Sequence, residues 1–204
     1  MGKILLFGGT FNPIHKGHTR AVEIMDNELD FDKIIIMPSK IPPHKIAKNL
    51  ASEQHRLEMC RLAFSENEKA EISDFEITRN NVSYSYYTVK YLKECYPEDD
   101  ICMAVGSDML LTFDKWYKFD SILKMCSLVC VSREDGDENE LLEKAEYLSK
   151  WGKAYVLKAE AFEISSTQIR EMLQNNEDTS CYLDESVVKY IRENNVYVGD
   201  DCAL

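Results

Sequence analysis

Short, unbroken apolar runs recur along this chain, and each is followed by a segment of helical periodicity. Residues 4–7, 33–37, 101–105, 127–131 and 154–157 are such runs, each four or five residues long. A strand that is apolar on both faces must be covered on both faces, which is the condition of a strand inside a parallel sheet. Residues 71–77 alternate imperfectly, with Ile72, Phe75 and Ile77 out of phase, and read as a further strand. Between the runs, residues 17–29 set Ala21, Val22, Met25 and Leu29 at helical spacing. Ser52 reads as the cap of a helix with Leu57, Cys60, Leu62 and Phe64 on its apolar side and Arg56 and Glu58 on its polar side. Further helices are expected over 84–96, where Pro97 ends the pattern, over a short stretch carrying Phe113 and Trp116, and over 141–151, 164–173 and 184–192. The alternation predicts an α/β fold: a Rossmann-like parallel sheet of five or six strands with helices on both faces.

The bulk properties narrow the function classes. The 204 residues suit one domain with a sizeable core. A formal net charge of −12 argues against a nucleic-acid or anionic-membrane surface, though not against a small anionic ligand in a local positive pocket. No apolar run is long enough to span a bilayer, and the N-terminus shows no signal-peptide pattern, so the cytoplasm is the expected location. The seven cysteines form neither a Cys-x-x-Cys pair nor a Cys/His cluster with zinc spacing, and buried, reduced thiols are the expectation. Cys126 and Cys130 are expected on one strand face.

Ligands of open α/β sheets sit beyond the carboxyl ends of the strands, where strand order switches. The chemically suggestive stretches of this chain follow such ends. After the first strand comes Gly8-Gly9-Thr10-Phe11-Asn12-Pro13-Ile14-His15-Lys16-Gly17-His18. Paired glycines let a backbone approach a ligand closely, and they also make a plain tight turn. Neither a dinucleotide fingerprint nor a Walker A loop is present. His15 and His18 are three apart at a helix start, where free amides and the helix dipole favour an anion. Phosphate binding and a structural role both fit the pair, whereas metal ligation lacks a third ligand at a sensible spacing. His44 and Lys45, after Pro42-Pro43, lie in a loop over 39–50 that is either functional or simply solvated. Gly106-Ser107-Asp108 ends another strand; Asp108 suits ribose hydroxyls or a helix cap. Trp116 suits ring stacking or the core. Ile164-Ser165-Ser166-Thr167 opens a helix with Arg170 one turn on, which makes an anion cradle as well as a cap.

The two stretches His15-Lys16-Gly17-His18 and Ile164-Ser165-Ser166-Thr167-Gln168-Ile169-Arg170 together resemble the nucleotidyltransferase superfamily with the HxGH and SSTxIR signatures. Within it the chain is similar to the bacterial nicotinate-nucleotide adenylyltransferases. Softer matches are Pro42-Pro43-His44-Lys45, Arg56-Leu57-Glu58-Met59, Ser83-Tyr84 with Thr88, Gly106-Ser107-Asp108, Trp116 and Tyr190-Ile191 with Asn194 and Tyr197. The resemblance implies one nucleotidyltransferase domain over 1–204 with a helical C-terminal portion from about 165. It implies transfer of the adenylyl group of ATP to nicotinate mononucleotide, with ATP accompanied by Mg2+. His15, His18 and Arg170 would be catalytic. Gly8, Gly9, Thr10, Phe11, Gly106, Asp108, Ile164, Ser166 and Thr167 would bind ATP. Lys45, Tyr84, Ser85, Trp116 and Arg133 would bind the acceptor. The chain departs from the family pattern at Ser85, where threonine is common, at Tyr87 and Asp184, and after Arg133, where Glu-Asp-Gly follows. The alternatives are adenylyl or cytidylyl transfer to another acceptor, such as nicotinamide mononucleotide or phosphopantetheine, and a nucleotide-sensing module without turnover. Oligomeric state is not legible.

Overall fold

The computed structural model describes residues 1–40, 50–79, 84–132, 138–158 and 164–197. Six strands form one parallel sheet: β1 (Lys3–Gly9), β2 (Lys33–Pro38), β3 (Ala70–Ile72), β4 (Asp100–Val105), β5 (Ser127–Ser132) and β6 (Ala154–Lys158). Their order is β3-β2-β1-β4-β5-β6, and every pairing is parallel. The direction of winding reverses between β1 and β4, so the crevice for a ligand opens beyond Gly9 and Val105.

The strands are buried on both sides, as their composition requires. Leu5 and Phe7 of β1, Ile34 and Ile36 of β2, Cys102 of β4, and Val129 and Val131 of β5 enter one core cluster. Ile4 and Leu6, Ile35 and Met37, Ile101, Met103 and Val105, and Leu128 and Cys130 enter the other. This alternation with period two is the pleat expressed in burial. The first cluster is closed by α1 (Lys16–Leu29), α2 (Glu53–Ala63), α8 (Ser166–Gln174) and α9 (Glu185–Glu193), through residues such as Val22, Met59, Ile169 and Val187. The second is closed by α4 (Ser85–Cys95), α5 (Ser107–Leu111), α6 (Phe119–Met125) and α7 (Glu138–Leu148), through Val89, Leu110, Ile122 and Leu141.

Five expectations are corrected. The third strand stops at Ile72, and Phe75–Thr78 form a short helix, α3; the imperfect alternation there marked a three-residue edge strand. Helix α7 begins at Glu138 rather than 141 and ends at Leu148. Helix α6 is additional to the expected elements, because its seven residues are too short a window for periodicity. The cysteines are not uniformly buried: Cys60, Cys102, Cys126 and Cys130 are, whereas Cys95 and Cys181 are exposed. Burial pushes the thiols of Cys60, Cys102 and Cys126 upward, that of Cys102 to about 11. Finally, Arg56, assigned to the polar side of α2, is 0% exposed.

Gly152, in the turn between α7 and β6, packs against the end of α6. A Cβ at this position would collide with the Leu123 carbonyl. Gly152→Ala therefore forces backbone to move and is expected to cost about 1–3 kcal/mol, the usual scale of overpacking. Urea denaturation measures this; an unchanged midpoint would contradict the packing.

Candidate active site

The loop after β1 is the floor of the site. Gly9 has no room for a side chain, since a Cβ there would lie 2.8 Å from the Phe11 ring. Gly8 is different: it is exposed, and the nearest atom to an added Cβ is the Met37 carbonyl oxygen at 3.8 Å. Phe11 adopts φ +49, a conformation L side chains rarely hold without surrounding constraint. Its ring supplies that constraint. It is 2% exposed, stacks on Phe7 at 5.7 Å and meets the His18 ring edge-on at 5.3 Å.

His15 is the residue before α1 and has extended backbone; it is 4% exposed. Its backbone N–H donates to His18 Nδ1 at 3.2 Å, and the two rings lie 3.7 Å apart. A ring nitrogen that accepts leaves the other as the donor, so neutral His18 carries its hydrogen on Nε2. The helix start is tied to the C-terminal part of the chain: Lys16 donates its backbone N–H to the Tyr182 carbonyl at 2.8 Å and its Nζ to the Ser180 carbonyl at 2.8 Å.

The second stretch meets the first directly. Ser165 caps α8 in a capping box with Gln168, so its hydroxyl has a structural task. Ser166 Oγ donates to the Pro13 carbonyl at 3.0 Å, across 153 positions of sequence. Arg170 Nη1 donates to the Asn12 carbonyl at 2.7 Å, and Nη2 to Thr167 Oγ1 at 3.2 Å. Thr167 is exposed and Arg170 half-buried, so both remain open to a ligand while anchored to the loop. Ile164 precedes the cap and packs against the first core cluster.

At the other end of the crevice, Gly106 caps the short α5 and exposed Asp108 sits in its first turn. Tyr84 and Ser85 stand at the N-terminus of α4, with the Tyr84 ring 5.1 Å from that of Tyr117. Trp116, adjacent to Tyr117, is half-buried against Phe113 at 4.9 Å. The Tyr84 ring thus meets Tyr117, whereas the Trp116 ring meets the buried Phe113. His44, Lys45 and Arg133 fall outside the described residues.

Three residues that organise this region were not among the sequence candidates. Asn12, 4% exposed, accepts at Oδ1 from the Ala51 backbone N–H at 3.0 Å and from the Tyr197 hydroxyl at 2.8 Å. Tyr117 joins Tyr84 and Tyr86. Arg56 grips the Thr10 carbonyl at 2.7 Å. Asn12 lies inside the first motif, and a buried Asn in a loop of apolar neighbours is a legible signal. Arg56 falls within the Arg56-Leu57-Glu58-Met59 match to the family, and Tyr117 carries no signal in the sequence.

Among the described residues no group of three His, Cys, Asp or Glu converges to hold a metal ion. The donors that do converge here are imidazole, guanidinium, hydroxyl and helix amides, a set suited to anions. No helix among the described residues is long and apolar enough to cross a membrane. Tyr197→Phe removes the hydroxyl bond to Asn12 Oδ1 in a buried setting. It is expected to lower stability by about 0.5–1.5 kcal/mol in urea denaturation; no change would dissolve this tie.

Comparison with known proteins agrees with the geometry. Residues 6–172 match the cytidylyltransferase-like family. A probable nicotinate-nucleotide adenylyltransferase of Lactococcus lactis is 36% identical over 195 residues, covering 96% of this chain and 95% of that protein. One of Clostridium acetobutylicum is 34% identical over 200 residues, covering 97% and 100%. The solved structure of the Plasmodium falciparum nicotinic acid mononucleotide adenylyltransferase complexed with NaAD matches with a TM-score of 0.78 at 20% identity, covering 97% of this chain and 98% of that one. That likeness bears on the fold, and the sequence relatives carry the family: this chain belongs to the cytidylyltransferase-like family and, within it, to the nicotinate-nucleotide adenylyltransferases.

Proposed function

We propose that this protein transfers the adenylyl group of ATP to nicotinate mononucleotide, giving nicotinate adenine dinucleotide and pyrophosphate, in the cytoplasm. The observation that carries the reading is the junction of the two helix starts. Ser166 and Arg170 hold the carbonyls of Pro13 and Asn12, so the N-termini of α1 and α8 flank one loop. A triphosphate laid on that loop meets His15, His18, Thr167 and Arg170 together.

The chemistry asks little of covalent side-chain catalysis. An oxygen of the acceptor's own phosphate attacks the α-phosphorus of ATP. The bond to the bridging oxygen of the β-phosphate breaks, and pyrophosphate departs with the electron pair. The protein's contribution is positioning and charge stabilisation. His18 is proposed to donate from Nε2 to an oxygen that gains charge in this displacement. His15, Arg170 and Thr167 are proposed to hold the rest of the triphosphate, over the backbone of Gly8, Gly9, Thr10 and Phe11. Gly106 and Asp108, beside the switch point, are proposed to receive the nucleoside. Mg2+ is proposed to arrive as part of the substrate MgATP, because the protein's own donors here suit an anion better than a hard cation. Trp116 is proposed to stack on the pyridine ring, with Tyr84 and Ser85 beside its carboxylate at the start of α4. Lys45 and Arg133 remain proposals from the family pattern alone.

Pyrophosphate release with ATP and a panel of acceptors tests the reading. Turnover should be strongest with nicotinate mononucleotide. Strong turnover of nicotinamide mononucleotide or phosphopantetheine, with little from the nicotinate form, would overturn the acceptor, and no turnover with any acceptor would leave a binding module. His18→Ala is expected to lower kcat by roughly a hundredfold, the effect of losing one transition-state donor, with the circular dichroism spectrum retained. A loss below about threefold would contradict a role of that size. Trp116→Ala is expected to raise the KM for the acceptor about two- to tenfold, the scale of an aromatic pair, and to leave the KM for ATP alone. An unchanged acceptor KM would remove the stacking.

A further inference from the structure

Arg56 has a role that its position on a helix conceals. Among the described residues it is the largest fully buried side chain, at 0% exposure. No salt bridge joins it to a carboxylate among the described residues. Its hydrogen bonds go to three backbone carbonyls instead: Nε to Ala51 at 3.2 Å, and Nη1 to both Thr10 and Ser39 at 2.7 Å. Burial pulls its pKa below the ordinary arginine value, but a guanidinium starts so far above neutrality that it stays a cation. A buried cation of this kind carries a desolvation cost of several kcal/mol. Plain helix packing would have been served by Leu or Met.

The carbonyls it gathers are not arbitrary. Thr10 lies in the loop on which ATP is proposed to rest. Ser39 follows β2, and Ala51 precedes α2. Both are docked on the same loop through their other backbone group as well. The Ser39 N–H donates to the Gly9 carbonyl at 2.9 Å, and the Ala51 N–H to Asn12 Oδ1 at 3.0 Å. The Thr10 carbonyl and the Phe11 N–H belong to one planar trans peptide and point in opposite directions. Fixing the carbonyl toward α2 therefore fixes the Phe11 N–H away from it.

We propose that Arg56 is a positioning residue for adenylyl transfer: it fixes the Thr10–Phe11 peptide in the orientation that meets ATP and locks that peptide to Ser39 and Ala51. This rests on the proposed function. Arg56 acts through the loop, and the effect falls on the ATP side of the reaction rather than on acceptor binding. A lysine keeps the charge but is a single donor centre, and it cannot span the two nitrogen positions from which these carbonyls are held.

The test is a kinetic comparison of wild type, Arg56→Lys and Arg56→Met, at a temperature where circular dichroism shows each variant folded. Arg56→Lys should lower kcat and raise the KM for ATP, each at least about tenfold, while the acceptor KM stays within about twofold. Values of kcat and ATP KM within twofold of wild type in folded Arg56→Lys would overturn the proposal, as would equal rises in both KM values. If neither variant folds, the wild-type protein decides. Titration with a nonhydrolysable ATP analogue should shift the Phe11 amide and Arg56 Nε–H resonances in 15N spectra, and acceptor alone should leave both in place. Silence of both toward the ATP analogue would overturn the proposal. Failure of the functional reading looks different: wild type itself would then give no pyrophosphate with nicotinate mononucleotide.

Discussion

A peptide group taken out of water must find a hydrogen-bond partner, and the loop from Gly9 to Ile14 takes several of them into the interior. Regular structure does not serve this loop, so side chains from elsewhere must. Arg56 of α2 takes the Thr10 carbonyl, Arg170 of α8 that of Asn12, and Ser166 that of Pro13. Tyr197 and Ala51 converge on the Asn12 side chain. Residues separated by up to 185 positions are thereby held to six residues of loop. The rest of the site follows from that one requirement. Satisfying the loop draws in α8, and with it Thr167 and Arg170.

The same interactions divide the labour within the site. Groups that hold the loop face inward: Arg56, Asn12 and Tyr197 are all nearly or fully buried. The groups proposed to hold the triphosphate are His15, His18, Thr167 and Arg170. They are donors, and they stand at helix starts, which is what the charge of a triphosphate requires. The proposed acceptor residues Tyr84, Ser85 and Trp116 belong to other elements, α4 and the turn before α6.

Much of this was legible from residue order alone. Unbroken runs such as Ile34-Ile35-Ile36 demand burial on two faces, and that demand leads to a parallel sheet with helices on both sides. The family resemblance pairs the two signatures, and each of them opens a helix. Where the structure departs from the sequence pattern, the cause is physical. Residues 71–77 mixed an edge strand with a helix turn, and an edge strand of three residues gives periodicity nothing to act on. Arg56 was assigned to solvent because a charge on an amphipathic helix ordinarily faces water. Its true partners are backbone carbonyls, which have no sequence identity and leave no pattern to read. Tyr117 carries no signal in the sequence; the meeting of α4 with that turn sets its ring against those of Tyr84 and Tyr86.

The central claim is that the starts of α1 and α8 form a single triphosphate site on one side-chain-supported loop. A crystal structure with a nonhydrolysable ATP analogue tests it most directly. The account predicts phosphate oxygens in hydrogen-bond contact with His15 or His18 on one side and with Thr167 or Arg170 on the other, over the backbone of Gly8 to Phe11. A triphosphate bound away from either helix start would contradict it.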